Sequence, residues 1–444
     1  MRVSIIGSGY VGLVTSVCLA EKGHQVICVD VNQEKVDRIN QAIPPIHEDG
    51  LAELLKKHAN KNLCATTDLL GAILTTDLTL LAVGTPFDGE KIDLTFIKTV
   101  SRQIGAALKV KNGYHLVVVK STVVPGTTDE VVGPLVEECS GKKVGVDFGL
   151  GMNPEFLTEG VAIRDFMHPD RIVLGGVDQR SLDLLEELYA SFADVPRVRT
   201  NNKTAELIKY TSNALLATMI SFSNEIAGLC TALGDVDVAD VMRATHLNYY
   251  LSRPLPTGER FKAPITSFLE AGCGFGGSCL PKDAKALIAH GRRLGKSMQL
   301  LDAVIQINER QPQQILVLLK KHFPSLANVR IAILGLAFKP DTDDMRESPA
   351  IPIIKALLAE GAKIQAYDPI ANREARKILD EQVTLVDTLA QAILNVDAIV
   401  LVTRWNEFQQ VPELLIHVSP QPVFIDGRRM LDKRTIARYE GIGL

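Results

Sequence analysis

The segment VSIIGSGYVG near the start of the chain limits the possible folds more than any other. A β-rich run, Arg2–Ile6, gives way to glycines at 7, 9 and 12 and then to an apolar helical stretch. A second β-rich run, Gln25–Val29, leads to Asp30, twenty-one residues after Gly9. Strand, glycine turn, helix and strand in that order specify a βαβ unit with parallel strands. In such a unit Gly7 makes the turn, Gly9 lets backbone approach a pyrophosphate, and Gly12 packs helix on strand, while the helix N-terminal N–H groups receive the negative charge. An acid at Asp30 hydrogen-bonds a ribose diol and repels a 2′-phosphate, so NAD is the expected cofactor rather than NADP. Tyr10, Val11 and Lys35 are counted with these positions.

Further β-rich runs at Thr79–Val83 and Leu116–Lys120 extend the alternation, which calls for a doubly wound parallel sheet with helices on both faces. Two of its strand-to-helix turns, LLAVGTP with Thr85 and VVVKSTVVPGTT with Thr122, place small hydroxyls where this architecture meets ligands. Helix capping is the alternative reading of both threonines. From Lys203 to Leu233 the pattern becomes one helical run of about thirty residues without proline. SRPLPTGERFKAPITSF reads as a loop, and helix resumes after Pro281. Strands then recur at Arg330–Leu334, Lys363–Tyr367, Ala398–Val402 and Val423–Ile425, with a helix near Ile351–Glu360. The expected fold is α/β: an N-terminal Rossmann-type sheet over 1–200, a long connecting helix with a helical domain over 201–310, and a C-terminal Rossmann-like domain over 311–444. A length of 444 residues fits about three domains at roughly 150 residues each. The last domain has GLAFKP where the first has GxGxxG, so a second dinucleotide site is not expected.

A net charge of −4 argues against nucleic acid as a partner. Seven scattered cysteines without a CxxC pair suit a reduced, cytoplasmic protein, and no metal site is expected. The glycines at 7, 9 and 12 argue against a signal peptide, and no apolar stretch reaches the ~18 residues of a membrane span. The long helix is apolar over more than one stripe, which suits a homodimer surface.

The chemistry-bearing segment is FLEAGCGFGGSCLPKDAKALIAHGRRLG. Its glycines allow close approach of a ligand, and Pro281 suits the first turn of a helix, which places Cys279 just before a helix N-terminus. That position and Lys282 favour a thiolate, whereas Asp283 opposes it. Cys273 lies in a loop with no such setting, so Cys279 is the expected nucleophile. On the long helix Lys209 and Asn213 share a face, with Asn224 three turns beyond. The stripe is either solvated or a cleft-facing group suited to an oxyanion. In GMNPEFLTEG, Pro154 marks a helix start, which would put Glu155 and Glu159 one turn apart; surface carboxylates are the plain alternative.

With GSGYVG, VGTP, STVVPGTT, NPEFLTEG, MHPDRIVLGG, AELIKYTSNALLA, GFGGSCLPKD, LGLAFKPDTDDMRESP and IDGRR in this order, the chain resembles the UDP-glucose/GDP-mannose dehydrogenase family almost end to end. The resemblance implies a nucleotide-sugar substrate oxidised at C6 by NAD, with Cys279 as the catalytic thiol. It also implies that Asp283 activates water, that Lys209 and Asn213 polarise the reacting oxygen, and that Thr122 and Glu155 position water or ligands. The stretch Glu155, Phe156, Leu157, Thr158, Glu159 matches a substrate segment. Phe268, Leu269, Glu270, Ala271, Gly272 and Gly276 match a loop around the nucleotide sugar. Lys339 matches a substrate contact, and Lys282 and Arg346 match NAD-side contacts. MHPDRIVLGG, TRWNEF and IDGRR favour UDP-glucose. The longer loop before the cysteine, with Tyr249, Tyr250 and Arg253, has the texture of GDP-mannose members, and a UDP-N-acetylhexosamine is a third option. An NAD-binding regulator without catalysis would have no need of Cys279, Lys209 and Asn213 together.

Overall fold

The computed structural model describes residues 1–444, which form two compact units, Met1–Ser212 and Asn213–Leu444. In the first unit, strand β1 (Arg2–Ile6) buries Val3 and Ile5 in one apolar cluster and Ile6 in another, as a central strand covered on both faces must. It belongs to a sheet completed by β2 (Gln25–Val29), β3 (Leu63–Thr66), β4 (Leu78–Leu81), β5 (Leu116–Val119), β6 (Gly149–Met152), β7 (Ile172–Gly176) and β8 (Arg197–Thr200). The order is β3-β2-β1-β4-β5-β6-β7-β8, parallel throughout except between β6 and β7.

The second unit holds a short antiparallel pair, β9 (Ser252–Pro254) and β10 (Arg260–Lys262). Its all-parallel sheet comprises β11 (Arg330–Leu334), β12 (Lys363–Tyr367), β13 (Thr384–Leu385), β14 (Ala398–Leu401), β15 (Val423–Asp426) and β16 (Tyr439–Gly441). The order β13-β12-β11-β14-β15-β16 repeats that of the first six strands of the first sheet. Both units therefore have the doubly wound α/β topology expected, with a switch point beside the first strand of each sheet.

Three expectations change. Strand β4 ends at Leu81, because Val83 turns away to accept a hydrogen bond from Ser121 Oγ at 2.7 Å. GMNPEFLTEG is not helical and the next helix starts only at Ala162, so Glu155 and Glu159 are not a helical turn apart. Side-chain carboxylates take the amides that a helix would bond: Glu155 accepts from Leu157 N at 2.7 Å, and Glu48 from Gly160 N and Ala162 N at 2.8 and 2.6 Å. The proline-rich stretch read as a loop contains β9, β10 and a 3₁₀ turn, Pro264–Phe268.

The long helix covers Asn202–Leu233, and its length and hydropathy would suit a membrane span. Its buried polar side chains argue otherwise. Within the first unit Glu206 accepts from Gly126 N and Thr128 N, and within the second Asn224 accepts from Gly272 N. A protein interior supplies such partners and lipid does not. The polar stripe is thus neither solvated nor lipid-facing: Lys209, Asn213 and Asn224 are all buried.

Candidate active site

In the first unit the carboxyl ends of β1, β4 and β5 meet where the strand order reverses. Gly7 has φ +104°, and a Cβ there would lie 2.6 Å from the Ala82 carbonyl oxygen. At Gly12 a Cβ would lie 1.8 Å from the Gly7 oxygen, while nothing stands within 4 Å of one at Gly9. Turn and helix packing thus demand the first and third glycines, and the second leaves an open approach. No side chain caps the helix Tyr10–Glu21, so its first N–H groups point at that opening. Asp30 follows β2 and accepts from Ser8 N and Oγ at 2.8 and 2.5 Å and from Asn32 N at 2.9 Å. Burial pushes its carboxyl up, but these hydrogen bonds and nearby Lys35 outweigh it and hold the group below the usual carboxylate range. An uncapped helix start, an open Gly9 and an ionised acid at the next strand end fit a dinucleotide.

The other expected cofactor residues in this unit are placed as follows. Val11 lies in the first turn of the same helix. The Tyr10 hydroxyl donates to Glu48 and accepts from Gly160 N at 2.9 Å, so the phenol ties two loops together. Thr85 Oγ1 donates to the Thr122 carbonyl at 2.7 Å, which joins the β4 and β5 turns and replaces the capping reading for Thr85. Lys35 lies in the first turn of the helix Gln33–Asn40, its N–H held by the Asn32 side chain.

Farther along the same carboxyl edge, Glu155 and Lys209 form an ion pair at 3.0 Å with both side chains buried. Neither is a surface charge. Burial pushes the Glu155 carboxyl up, but Lys209, the Leu157 N–H and Lys120 together bring it below the usual range. Phe156 stacks under Arg171, 3.9 Å from guanidinium carbon to ring centroid, with the Lys209 ammonium 5.5 Å from the same ring. Thr158 N donates to Asp165, and Glu159 is half-buried. Sequence reasoning passed over Lys120 and Asn153, two buried polar groups beside this pair. A lysine closing an apolar strand and directly preceding Ser121 and Thr122 was the available signal.

In the second unit Cys279 is the N-cap of the helix Leu280–Arg293, with Pro281 in the first turn, as expected. Its carbonyl accepts from Asp283 N at 2.8 Å, and its Sγ lies 3.6 Å from Ser278 Oγ. Asp283 is 1% exposed and receives Asn213 Nδ2 at 2.6 Å and Lys282 Nζ at 2.5 Å. The Lys282 charge is therefore engaged by Asp283, while the helix N-terminus favours a thiolate at Cys279. Arg346, the other cation expected on the NAD side, is forked by Asp344 at 2.7 to 3.0 Å. Cys273 is fully buried, its sulfur 3.8 Å from the Val402 carbonyl, and burial raises its thiol pKa.

The glycine-rich loop is clasped by backbone of its own unit. A Cβ at Gly276 would meet the Glu347 carbonyl oxygen at 2.1 Å and one at Gly272 the Gly427 oxygen at 2.9 Å, so these glycines admit protein backbone closely. Phe268 ends the 3₁₀ turn and the Leu269 carbonyl bonds His246 at 3.0 Å. A cleft of about 180 Å³ brings together Glu270, Ala271 and Lys339 with Phe338, Arg404 and Arg428. Arg404 pairs with Glu270, and Arg428 bonds the Gly274 and Val402 carbonyls at 2.8 and 2.6 Å. TRWNEF and IDGRR contained these two arginines, but the motifs alone assigned them no role.

Three family models match the chain in sequence. The UDP-glucose/GDP-mannose dehydrogenase family NAD binding domain matches residues 1–193, its central domain 203–310 and its UDP binding domain 332–433. UDP-glucose 6-dehydrogenase AglM of Haloferax volcanii is 43% identical over all of both chains. GDP-mannose 6-dehydrogenase of Pseudomonas putida is 40% identical, again over all of both. A solved UDP-glucose dehydrogenase from Pyrobaculum islandicum superposes with a TM-score of 0.90 at 37% identity, covering 100% of this chain and 97% of the other. With the glycine turn and Asp30 shaped for NAD in one unit and a helix-capping cysteine in the other, the chain belongs to the UDP-glucose/GDP-mannose dehydrogenase family of NAD-dependent oxidoreductases.

Proposed function

We propose that the protein oxidises UDP-glucose at C6, with two NAD and one water, to UDP-glucuronate and two NADH. The observation that carries this reading is Cys279 at a helix N-terminus, one turn before an Asp283 that is fixed by Asn213 and Lys282. The bound cofactor supplies a two-electron hydride acceptor, used twice in succession. On the protein's side, the Cys279 sulfur adds to the C6 aldehyde to give a thiohemiacetal. Loss of the second hydride leaves a thioester, and water activated by Asp283 cleaves it to carboxylate and thiol. Lys209 and Asn213 polarise the reacting oxygen, with Thr122 and Glu155 positioning water or ligand. The covalent tether keeps a reactive aldehyde from escaping.

The reading assigns NAD to residues 1–200, the thiol to 201–310 and the nucleotide to 311–444. Arg404, Arg428 and Lys339 in the cleft suit a diphosphate. The enzyme acts as a homodimer, and seven cysteines without a disulfide suit a cytoplasmic location. The test is to supply UDP-glucose, GDP-mannose or UDP-N-acetylglucosamine with NAD and count NADH and acid formed. Two NADH per UDP-glucose, with little from the others, is expected. A preference for GDP-mannose would move the assignment to that substrate, and no turnover with any would leave an NAD-binding regulator.

A further inference from the structure

Lys120 stands at the carboxyl end of β5 with 3% of its surface exposed. Its Nζ donates to Asn153 Oδ1 at 2.9 Å and lies 5.9 Å from the centre of the Phe166 ring. Asn153 is fixed on three further sides. Its N–H bonds the Val119 carbonyl, its Nδ2 the Val173 carbonyl, and its Oδ1 also accepts from Tyr189 OH at 2.6 Å. An ammonium so deeply buried, held by a neutral amide, is costly unless a negative charge lies near. Glu155, in the loop after β6 and two residues beyond Asn153, attracts this charge, and Lys209, on the long helix and paired with Glu155 at 3.0 Å, repels it; Tyr189, after the helix Gln179–Leu188, is a titratable neighbour through Asn153. Two buried cations, Lys209 in direct contact and Lys120 through its field, thus act on one buried carboxylate.

We propose that Lys120 is a positioning residue: its ammonium, anchored on Asn153, is the second buried cation that holds the Glu155 carboxylate in its pair with Lys209. The inference rests on the dehydrogenase reading only for its effect on turnover, since the electrostatic arrangement exists in the protein alone. Burial drives the Lys120 amine down to about 8 despite the attraction of Glu155, so its charge begins to be lost in mildly alkaline solution. Its hold on Glu155 weakens over the same range.

The test compares Lys120→Met with Lys120→Arg in the full-length protein. The Glu155 carboxyl is followed by ¹³C NMR of glutamate-labelled protein, with its signal assigned by Glu155→Gln. Removing a neighbouring cation should raise the Glu155 titration midpoint by about one unit in Lys120→Met. The acid limb of kcat/KM for the nucleotide sugar should move the same way, and Lys120→Arg should restore both toward wild type. A thermal melt shows that the variants are folded. A folded Lys120→Met in which Glu155 titrates as in wild type would overturn the proposal. A shifted Glu155 midpoint without dehydrogenase turnover in any variant or wild type would uphold the proposal and remove the functional reading instead.

Discussion

Asp30 shows how much one carboxylate does in this protein. Three of its acceptor sites are already used by Ser8 and Asn32, so it builds the turn as well as facing the ligand. The two duties are separable. Asp30→Ala should weaken NAD binding and narrow the preference for NAD over NADP, because it removes the group that repels a 2′-phosphate. Ser8→Ala loosens the turn but keeps the charge, and should weaken NAD without changing that preference. Calorimetric titration with each nucleotide reads both effects. The same scale governs Cys279. Cys279→Ala should reduce acid formation on the order of 10³-fold or more while nucleotide-sugar binding persists, because thioester formation needs sulfur. Near-normal release of two NADH by that variant would refute the covalent route.

A further residue-scale prediction concerns pH. His115 is fully buried, with Nε2 2.7 Å from Thr79 Oγ1 and Nδ1 3.0 Å from the Lys111 ammonium and 3.2 Å from the Thr76 carbonyl. Burial, reinforced by Lys111, lowers its pKa from 6.5 to about 3. Between those values the unfolded chain binds a proton that the folded protein does not, so stability rises with pH across that window and is lost as pH falls through it. From pH 5 to 7 this one group should add about 2 kcal/mol to the unfolding free energy. Urea melts of wild type and His115→Gln at the two pH values should differ by that amount in their pH dependence; equal dependence would show that His115 titrates normally in the fold.

At the scale of elements, sequence periodicity located the regular pieces closely. Strands β1, β2, β11 and β12 have the expected bounds, and the long helix begins one residue before the expected Lys203. The four strands are buried within their own sheets, so apolar pattern and structure coincide there. The reading failed where side chains compete with backbone. Glu155 and Glu48 capture the amides after Pro154, and no propensity reports that in advance. The candidate site was legible where a motif implies local geometry, as with Cys279 before its helix. It was not legible where a group's role depends on distant residues, as with Lys120 and Asn153. Asn224 is an intermediate case: its place on the polar stripe was visible, but its partner, the Gly272 N–H at 2.8 Å, was not. Replacing Asn224 with leucine strands that buried N–H and should cost about 1–3 kcal/mol. It should also raise KM for the nucleotide sugar, because the Phe268–Gly272 segment loses its anchor. Denaturant melts and steady-state kinetics of Asn224→Leu check the two effects together.

At the scale of the whole molecule, the repeated sheet order shows one topology used for two purposes. In the first sheet Gly7 donates its N–H to the Val29 carbonyl at 2.7 Å, and in the second Gly335 donates to Tyr367 at 2.8 Å; both have positive φ. The acids at the ends of the next strands then diverge. Asp30 is partly open, whereas Asp368 is 1% exposed and accepts from Leu336 N, Ala337 N and Trp405 Nε1 at 2.7 to 3.0 Å. The protein's own groups occupy the acid that a second dinucleotide would need. The long helix between the sheets in sequence carries the final prediction. Leu215, Phe222 and Leu229 recur every seven residues along it and are 52%, 48% and 55% exposed. A stripe of large apolar side chains at that spacing is the pattern of a helix that packs against another helix, and in a symmetric dimer the same stripe serves both partners. Phe222→Glu, which places a charge at the centre of the stripe, should convert a dimer into monomers in sedimentation velocity while leaving the thermal melt of the monomer cooperative. A wild-type protein that sediments as a monomer at micromolar concentration, or a Phe222→Glu variant that remains dimeric, would place the self-association surface elsewhere or remove it.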